Sequence, residues 1–156
     1  MDWIPALRSV HIIGATVLLG TGAGIAFFML MAHRTRDPVL IAHVARTVVI
    51  ADFLFTATAV VIQPITGALL AHMLGWQLST PWIAVSLALY ILTGLCWLPV
   101  VRLQIKMRDL AAFAASQGIP LDRRYDRLFT RWVLLGIPAF ASVLAILWLM
   151  VARPNA

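Results

Sequence analysis

The chain has 156 residues, of which 62% are apolar and only 12% are charged, and its formal net charge is +6. Soluble domains are about half apolar and about a quarter charged, so this composition indicates a membrane protein. The single cysteine, Cys96, excludes a secreted disulfide scaffold, and the abundance of Leu, Ile, Val and Phe excludes a disordered chain.

Four apolar segments are long enough to cross a bilayer, which takes about 20 residues. They cover residues 10–32, 47–73, 81–101 and 132–152, and Asp52 is the single formal charge within them. A segment in lipid must satisfy its own backbone hydrogen bonds, so all four are predicted to be α-helices. The predicted fold is therefore an all-α, four-helix transmembrane bundle that forms one domain over residues 1–156.

The basic residues indicate an orientation. Most of the 12 Lys and Arg residues lie in two connections, one between the first and second segments and one between the third and fourth. The positive-inside rule predicts that both connections are cytoplasmic and both termini extracytoplasmic, in a bacterial inner membrane, and no nucleic-acid partner is needed to explain the charge. Residues 102–116 are predicted to extend the third helix into the cytoplasm, with Gly118 ending it and Asp122 capping the fourth helix.

Two histidines lie near the extracytoplasmic ends of neighbouring helices. Counted from the connection at about 1.5 Å per residue, His11 and His72 agree in depth within about 6 Å. Imidazoles on facing helices are one way to hold a b-type haem. His11 is therefore a predicted ligand of the haem iron with His72 as its co-ligand, and Met73 or water are alternative sixth ligands. Either histidine could instead face head-group water.

Polar residues inside the second segment offer a structural and a functional interpretation. Asp52 is predicted to pair with Arg131 at the start of the fourth helix, or else to relay protons. Gln63 is predicted to bond across helices. Pro64 should kink its helix and free the carbonyl of Val60.

Small and aromatic residues suggest packing roles. Gly20 and Gly24 form a G-x-x-x-G spacing, which favours close helix packing, while leaving room for a macrocycle is the alternative. Tyr125 and Trp132 are predicted to lie in an aromatic belt at the membrane surface.

Five short motifs are spaced along the chain. They are R-S-V-H-I-I-G-A at Arg8 to Ala15, A-H-R-T-R-D-P at Ala32 to Pro38, A-D-F-L-F-T at Ala51 to Thr56, T-P-W at Thr80 to Trp82 and R-W at Arg131 to Trp132. Their order and spacing resemble a bacterial family of predicted integral membrane proteins, catalogued as domain of unknown function 2269. The resemblance covers nearly the whole chain and implies four transmembrane helices without an established activity.

The first helix also has a more distant likeness. With H-I-I followed by glycines and ending in M-A-H-R, it is similar to that of the four-helix haem-dependent protoporphyrinogen oxidases, and CopD-type copper-resistance membrane proteins share a similar plan. In the oxidases the first-helix histidine is tied to haem and corresponds to His11. Those oxidases carry a Lys four residues after a third-helix Trp. Here Ser86 takes that place after Trp82, which argues against oxidase activity and leaves a haem site at His11 open.

Three functional hypotheses follow. The first is a redox or electron-transfer subunit that binds haem b and works with a redox partner in the lipid bilayer. The second is a cofactor-free structural or accessory subunit that uses its glycine face to form a homodimer. A transporter is disfavoured, because coupled transport usually needs several polar groups within the membrane.

Overall fold

A computed structural model describes residues 3–154 of the chain. This part forms four helices, α1 (Ile4–Thr35), α2 (Pro38–Met73), α3 (Pro81–Gln117) and α4 (Arg123–Ala152), and contains no strand. Each helix is long and apolar enough to cross a membrane. The predicted all-α, four-helix transmembrane fold is confirmed.

The helix ends follow from local sequence. The carboxylate of Asp37 accepts the backbone N–H of Val39 at 2.8 Å at the start of α2, and Asp122 accepts that of Arg124 at 3.3 Å at the start of α4. Such caps satisfy N–H groups that have no partner within the helix. Gly118 ends α3 in the left-handed conformation, with φ 63°, which glycine adopts without strain. Helix α3 therefore continues well past its apolar segment, as the sequence predicts.

Buried apolar clusters hold helices together at both ends of the bundle. We call the membrane face with connections 36–37 and 118–122 the basic side, and the face with connection 74–80 the terminal side. Near the basic side, one buried cluster draws on all four helices and includes Met29, Ile41, Met107 and Tyr125. Near the terminal side, a smaller cluster joins Ala71, Trp82, Ile83 and Leu149.

Helix α2 changes neighbours along its length. Its first part, Pro38–Ala51, packs along both α3 and α1, whereas its last part, Ala57–Met73, packs mainly along α1. Between them lies a π-helical turn, Asp52–Thr56, in which the N–H of Ala57 bonds the carbonyl of Asp52. Helices α1 and α4 touch at few positions. The α1–α2 and α3–α4 hairpins are therefore in contact through α2 and α3, and the space between them lies between α1 and α4.

Two aromatic residues differ from the sequence prediction. Tyr125 is fully buried and Trp132 is 7% exposed, so neither lies in a surface belt. Both belong to a row of rings on α4 that packs against the end of α1, where His33 stacks on Phe129 with ring centroids 3.8 Å apart. The salt bridge between Arg36 and Asp126, with an N–O distance of 2.5 Å, ties the same two helix ends together.

Candidate functional site

A cavity of about 590 Å³ lies between the two hairpins and is lined by all four helices. Small residues create the space, among them Ala15 and Gly22 on α1 and Gly136 and Ala139 on α4. Sites for small molecules commonly measure about 300–1,000 Å³ and are mostly apolar with a few polar groups. This cavity fits that description in size and in lining.

The polar groups of the cavity lie on one wall, formed by α2 and α3. They are Asp52, Thr56, Gln63, Tyr90, Thr93, Trp97 and Gln104. The facing surface on α4 is almost wholly apolar and includes Ile137, Phe140 and Leu144. A molecule in this cavity would therefore meet hydrogen-bonding groups on one side and hydrocarbon on the other.

Asp52 is the charged member of the polar wall. It begins the π-helical turn, is 3% exposed, and its Oδ1 accepts the indole N–H of Trp97 at 3.2 Å. Its second oxygen, Oδ2, lies beside the Thr56 hydroxyl, and neither group makes a hydrogen bond of ordinary geometry within residues 3–154. A buried polar atom without a partner costs about 1–3 kcal/mol, and more when charged. The Asp52 carboxylate is thus equipped to accept a hydrogen bond from a bound molecule.

The predicted ion pair between Asp52 and Arg131 is wrong for the described part of the chain. The Asp52 carboxylate accepts from Trp97 on α3, whereas Arg131 has an exposed side chain and lines a separate groove between α3 and α4. The two residues were matched by depth alone, and depth does not fix the direction in which a side chain leaves its helix.

Two further partnerless groups lie toward the basic side. Gln104 is 1% exposed, and its amide oxygen has no partner in the described structure. The indole nitrogen of Trp132 also has no hydrogen-bond partner in the described structure. Both residues line the cavity, so one end of it holds a donor and an acceptor that the protein leaves free.

The opposite end of the polar wall is internally satisfied. Pro64 cannot donate to the Val60 carbonyl four residues earlier, and the Tyr90 hydroxyl on α3 donates to that carbonyl instead. The Gln63 amide donates to the carbonyl of His11 at 2.7 Å, so it bonds across helices. The free hydrogen-bonding capacity therefore lies between Thr56 and the basic side.

His11 lies outside the cavity lining, against the last part of α2. Its Nδ1 is 2.8 Å from the Thr66 hydroxyl oxygen, and that hydroxyl donates to the Ile62 carbonyl at 2.9 Å. When that hydroxyl donates to the carbonyl, its oxygen accepts from Nδ1–H, and in this tautomer the lone pair lies on Nε2. Gly67 permits the approach, since a Cβ there would lie 3.3 Å from the ring carbon Cε1.

The structure does not bring His72 to His11. His72 is exposed and lies six residues past Thr66, which is roughly 9 Å along the axis and about 120° around the helix. Two ligands of one iron must face each other across it, and the offset of His72 from Thr66 along and around α2 does not favour that arrangement. The prediction matched the two histidines by their depth along the helices. It took no account of the direction in which each side chain leaves its helix.

The glycine pair on α1 makes no close contact within the described chain. A Cβ built at Gly20 or Gly24 has nothing within 4 Å. Close packing occurs instead at Gly14, where a Cβ would collide with the Gln63 amide, and at Gly67. The predicted close packing at Gly20 and Gly24 is thus not made inside this molecule.

A family model, described as predicted integral membrane protein (DUF2269), matches residues 5–154. The chain belongs to this family. The match confirms the resemblance indicated by the short motifs and agrees with the four membrane-spanning helices. No curated protein and no solved structure matches the chain.

Five residues of the polar wall were not identified as site residues from the sequence, namely Thr56, Tyr90, Thr93, Trp97 and Gln104. Tyr90, Trp97 and Gln104 are spaced by seven residues, which places them on one face of α3. This spacing of polar-capable side chains through an apolar segment was the available signal. It was missed because Trp and Tyr in membrane helices are usually assigned to the surface belt.

Proposed function

We propose that this integral membrane protein binds a membrane-dissolved molecule of the quinol class, with hydroxyl groups on a ring and a hydrocarbon tail, in the cavity between the hairpins. One observation supports this above all. The cavity is mostly apolar, and its polar wall holds a carboxylate oxygen, Asp52 Oδ2, without a partner.

The chemistry of the head group follows from that oxygen. An unpartnered oxygen accepts a hydrogen bond from a neutral hydroxyl, whereas burying a second acidic group beside Asp52 would be costly, which disfavours a fatty acid. Toward the basic side, the Gln104 amide and the Trp132 indole offer further bonds to a polar ring. The apolar surface of α4 would hold the tail.

Depth argues against a phospholipid head group in this cavity. Asp52 lies six residues past Arg46, which is about 9 Å along the helix from that charge. Phosphate groups stay at the membrane surface, whereas a neutral ring with one or two hydroxyls can enter the hydrocarbon region. The lipid-soluble quinols combine these properties.

The cavity itself can be tested by filling it. Gly136 lines the cavity, and a Cβ built there meets nothing within 4 Å. Gly136→Phe should therefore fold and weaken binding of a short-chain benzoquinol at least tenfold. Titration of the tryptophan fluorescence measures this, because Trp97 and Trp132 line the site. The matched control is Gly94→Phe, equally free of neighbours but outside the cavity lining, which should bind as the wild type does.

The role of the carboxylate is tested separately. A hydrogen bond to a charged group is worth about 1.5–3 kcal/mol, so Asp52→Leu should weaken the same binding about tenfold or more. Asp52→Asn keeps an accepting oxygen and should lose less. Wild-type affinity in Asp52→Leu together with lost binding in Gly136→Phe would refute the hydroxyl-bearing head group. Wild-type affinity in both variants would refute the cavity as the site.

Haem b at His11 is a second candidate, favoured by the orientation of the imidazole. Haem-ligating histidines are typically held by a hydrogen bond at the other ring nitrogen, and the Thr66 hydroxyl makes this bond to Nδ1. The residues present thus fit a single axial ligand through Nε2. A redox role and a redox partner subunit would follow from such a cofactor.

The haem candidate predicts a coloured protein. Protein purified from haem-replete cells should show a Soret band that is lost in His11→Ala. His72→Ala should keep the band, because His72 is exposed and lies six residues beyond Thr66, the residue that contacts His11. A colourless wild-type protein, or a band unchanged in His11→Ala, would end this candidate.

A further inference from the structure

A second concave surface lies between α3 and α4 at the basic side, with a volume of about 500 Å³. We call it the basic groove. It is lined by Pro99, Arg102, Leu103, Lys106, Arg131, Leu134 and Leu135. The proposed quinol site does not use any of these residues, and the two cavities share no lining residue.

Three positive charges converge in the basic groove without an opposing charge. Arg102 and Lys106 are one turn apart on α3, and Arg131 comes from α4. No acidic residue lines the groove, and the ion pairs within residues 3–154 join Arg36 to Asp126 and Arg108 to Asp109. Charges this near one another are within the Debye length of about 8–10 Å and repel. An anion held among them would remove that repulsion.

The other half of the groove is apolar. Leu134 and Leu135 follow Arg131 into the fourth apolar segment, while Arg102 directly follows the third. The charges therefore lie at the level of the lipid head groups, and the leucines lie at the level of the acyl chains. This combination matches a molecule with a phosphate at one end and hydrocarbon at the other.

We propose that the basic groove is a binding site for an anionic phospholipid, with Arg102, Lys106 and Arg131 around its phosphate and Leu134 and Leu135 against an acyl chain. Inorganic phosphate shares the head-group chemistry and lacks the chain. Basic pockets between transmembrane helices commonly hold anionic lipid head groups. The apolar floor is the feature that selects the lipid over the free ion.

The test compares the removal of three charges in the basic groove with the removal of three charges elsewhere on the basic side. Arg102→Gln/Lys106→Gln/Arg131→Gln removes the three groove charges. Arg123→Gln/Arg124→Gln/Arg127→Gln removes three charges that do not line the groove. Each protein, purified in detergent, is titrated with phosphatidylglycerol or phosphatidylcholine, and native mass spectrometry counts the retained lipid.

We expect the wild type and the control variant to retain phosphatidylglycerol in preference to phosphatidylcholine, and the groove variant to lose that preference at least tenfold. Arg131→Gln alone should lose part of the preference for phosphatidylglycerol. This single variant keeps the test decisive if the triple variant does not fold. Equal loss in both triple variants, or equal retention of the two lipids by the wild type, would overturn the site. Displacement of the lipid by millimolar inorganic phosphate would overturn the choice of a lipid.

Discussion

Pro64 on α2 and Tyr90 on α3 show how a side chain on one helix can satisfy a backbone group on another helix within the membrane. Pro64 removes a backbone donor in mid-membrane, where no water can replace it, and the Tyr90 hydroxyl bonds the Val60 carbonyl that is left free. The same bond holds the Tyr90 ring in the wall of the cavity. The sequence predicts the free carbonyl, and only the fold shows which donor reaches it.

The hydrogen bond from Tyr90 to the Val60 carbonyl predicts that substitutions of Tyr90 and Pro64 have non-additive effects on the free energy of unfolding. Tyr90→Phe should destabilise the protein by about 1–3 kcal/mol, because it leaves a buried carbonyl without a partner. In a Pro64→Ala background, the substituted alanine supplies a backbone N–H to that carbonyl, and Tyr90→Phe should then cost much less. Thermal unfolding of the four proteins in detergent forms the double-mutant cycle. A Tyr90→Phe cost that is the same in both backgrounds would contradict the assigned bond.

Asp52 was singled out by its charge, and its surroundings were not foreseen. A lone carboxylate in an apolar segment indicates a function or a partner, whatever the fold. The partner proved to be the Trp97 indole, a group that carries no charge and lies 45 residues away in sequence. Charge complementarity in the sequence could not have found it.

At the scale of the helix, the π-helical turn of α2 is the feature that shapes the site. It lies where α2 leaves α3 and continues along α1, and it carries Asp52 and Thr56 into the cavity wall. π-Helical turns hold one residue more than an α-helical turn and are often found at functional sites. The turn lies within the cavity wall, between Gln104 toward the basic side and Gln63 toward the terminal side.

The G-x-x-x-G spacing on α1 predicts a contact between two copies of the chain. Gly20 and Gly24 meet nothing within 4 Å inside the molecule, so this G-x-x-x-G face remains available for a second copy of the chain. If the homodimer forms there, Gly20→Leu/Gly24→Leu should shift the protein to monomer without loss of helix content. Analytical ultracentrifugation in detergent measures the shift.

The control for this shift is Ala84→Leu/Ala88→Leu, which changes an exposed pair of small residues with the same spacing on α3. It should leave the association unchanged. If the wild type is already a monomer, or if both variants dissociate equally, the glycine face is not a dimer contact.

At the scale of the whole molecule, charge is segregated to one face. The connections and helix ends of the basic side carry the Arg36–Asp126 salt bridge, the basic groove and the long end of α3, whereas connection 74–80 has no charged residue. The two sides of the membrane are therefore chemically distinct for this protein. The proposed quinol head and the proposed lipid both lie toward the basic side.

This asymmetry predicts the orientation in a bacterial inner membrane. Alkaline phosphatase fused after Ala156 should be active, and a green fluorescent protein at the same place should be dark, because the termini are expected outside. Fusions after Gly118 should show the reverse. The opposite pattern at both sites would contradict the positive-inside interpretation of the Arg-rich connections.

The sequence by itself determined the four helices, their apolar segments, the end of α3 at Gly118 and the cap of α4 at Asp122. These features depend on contiguous residues, since the bilayer demands a long apolar run and a cap involves neighbours in the chain. The tertiary structure alone decided that Asp52 bonds Trp97, that His72 is exposed and that a cavity lies between the hairpins. Those outcomes depend on the direction of each side chain around its helix, which the π-helical turn and the packing of all four helices set together.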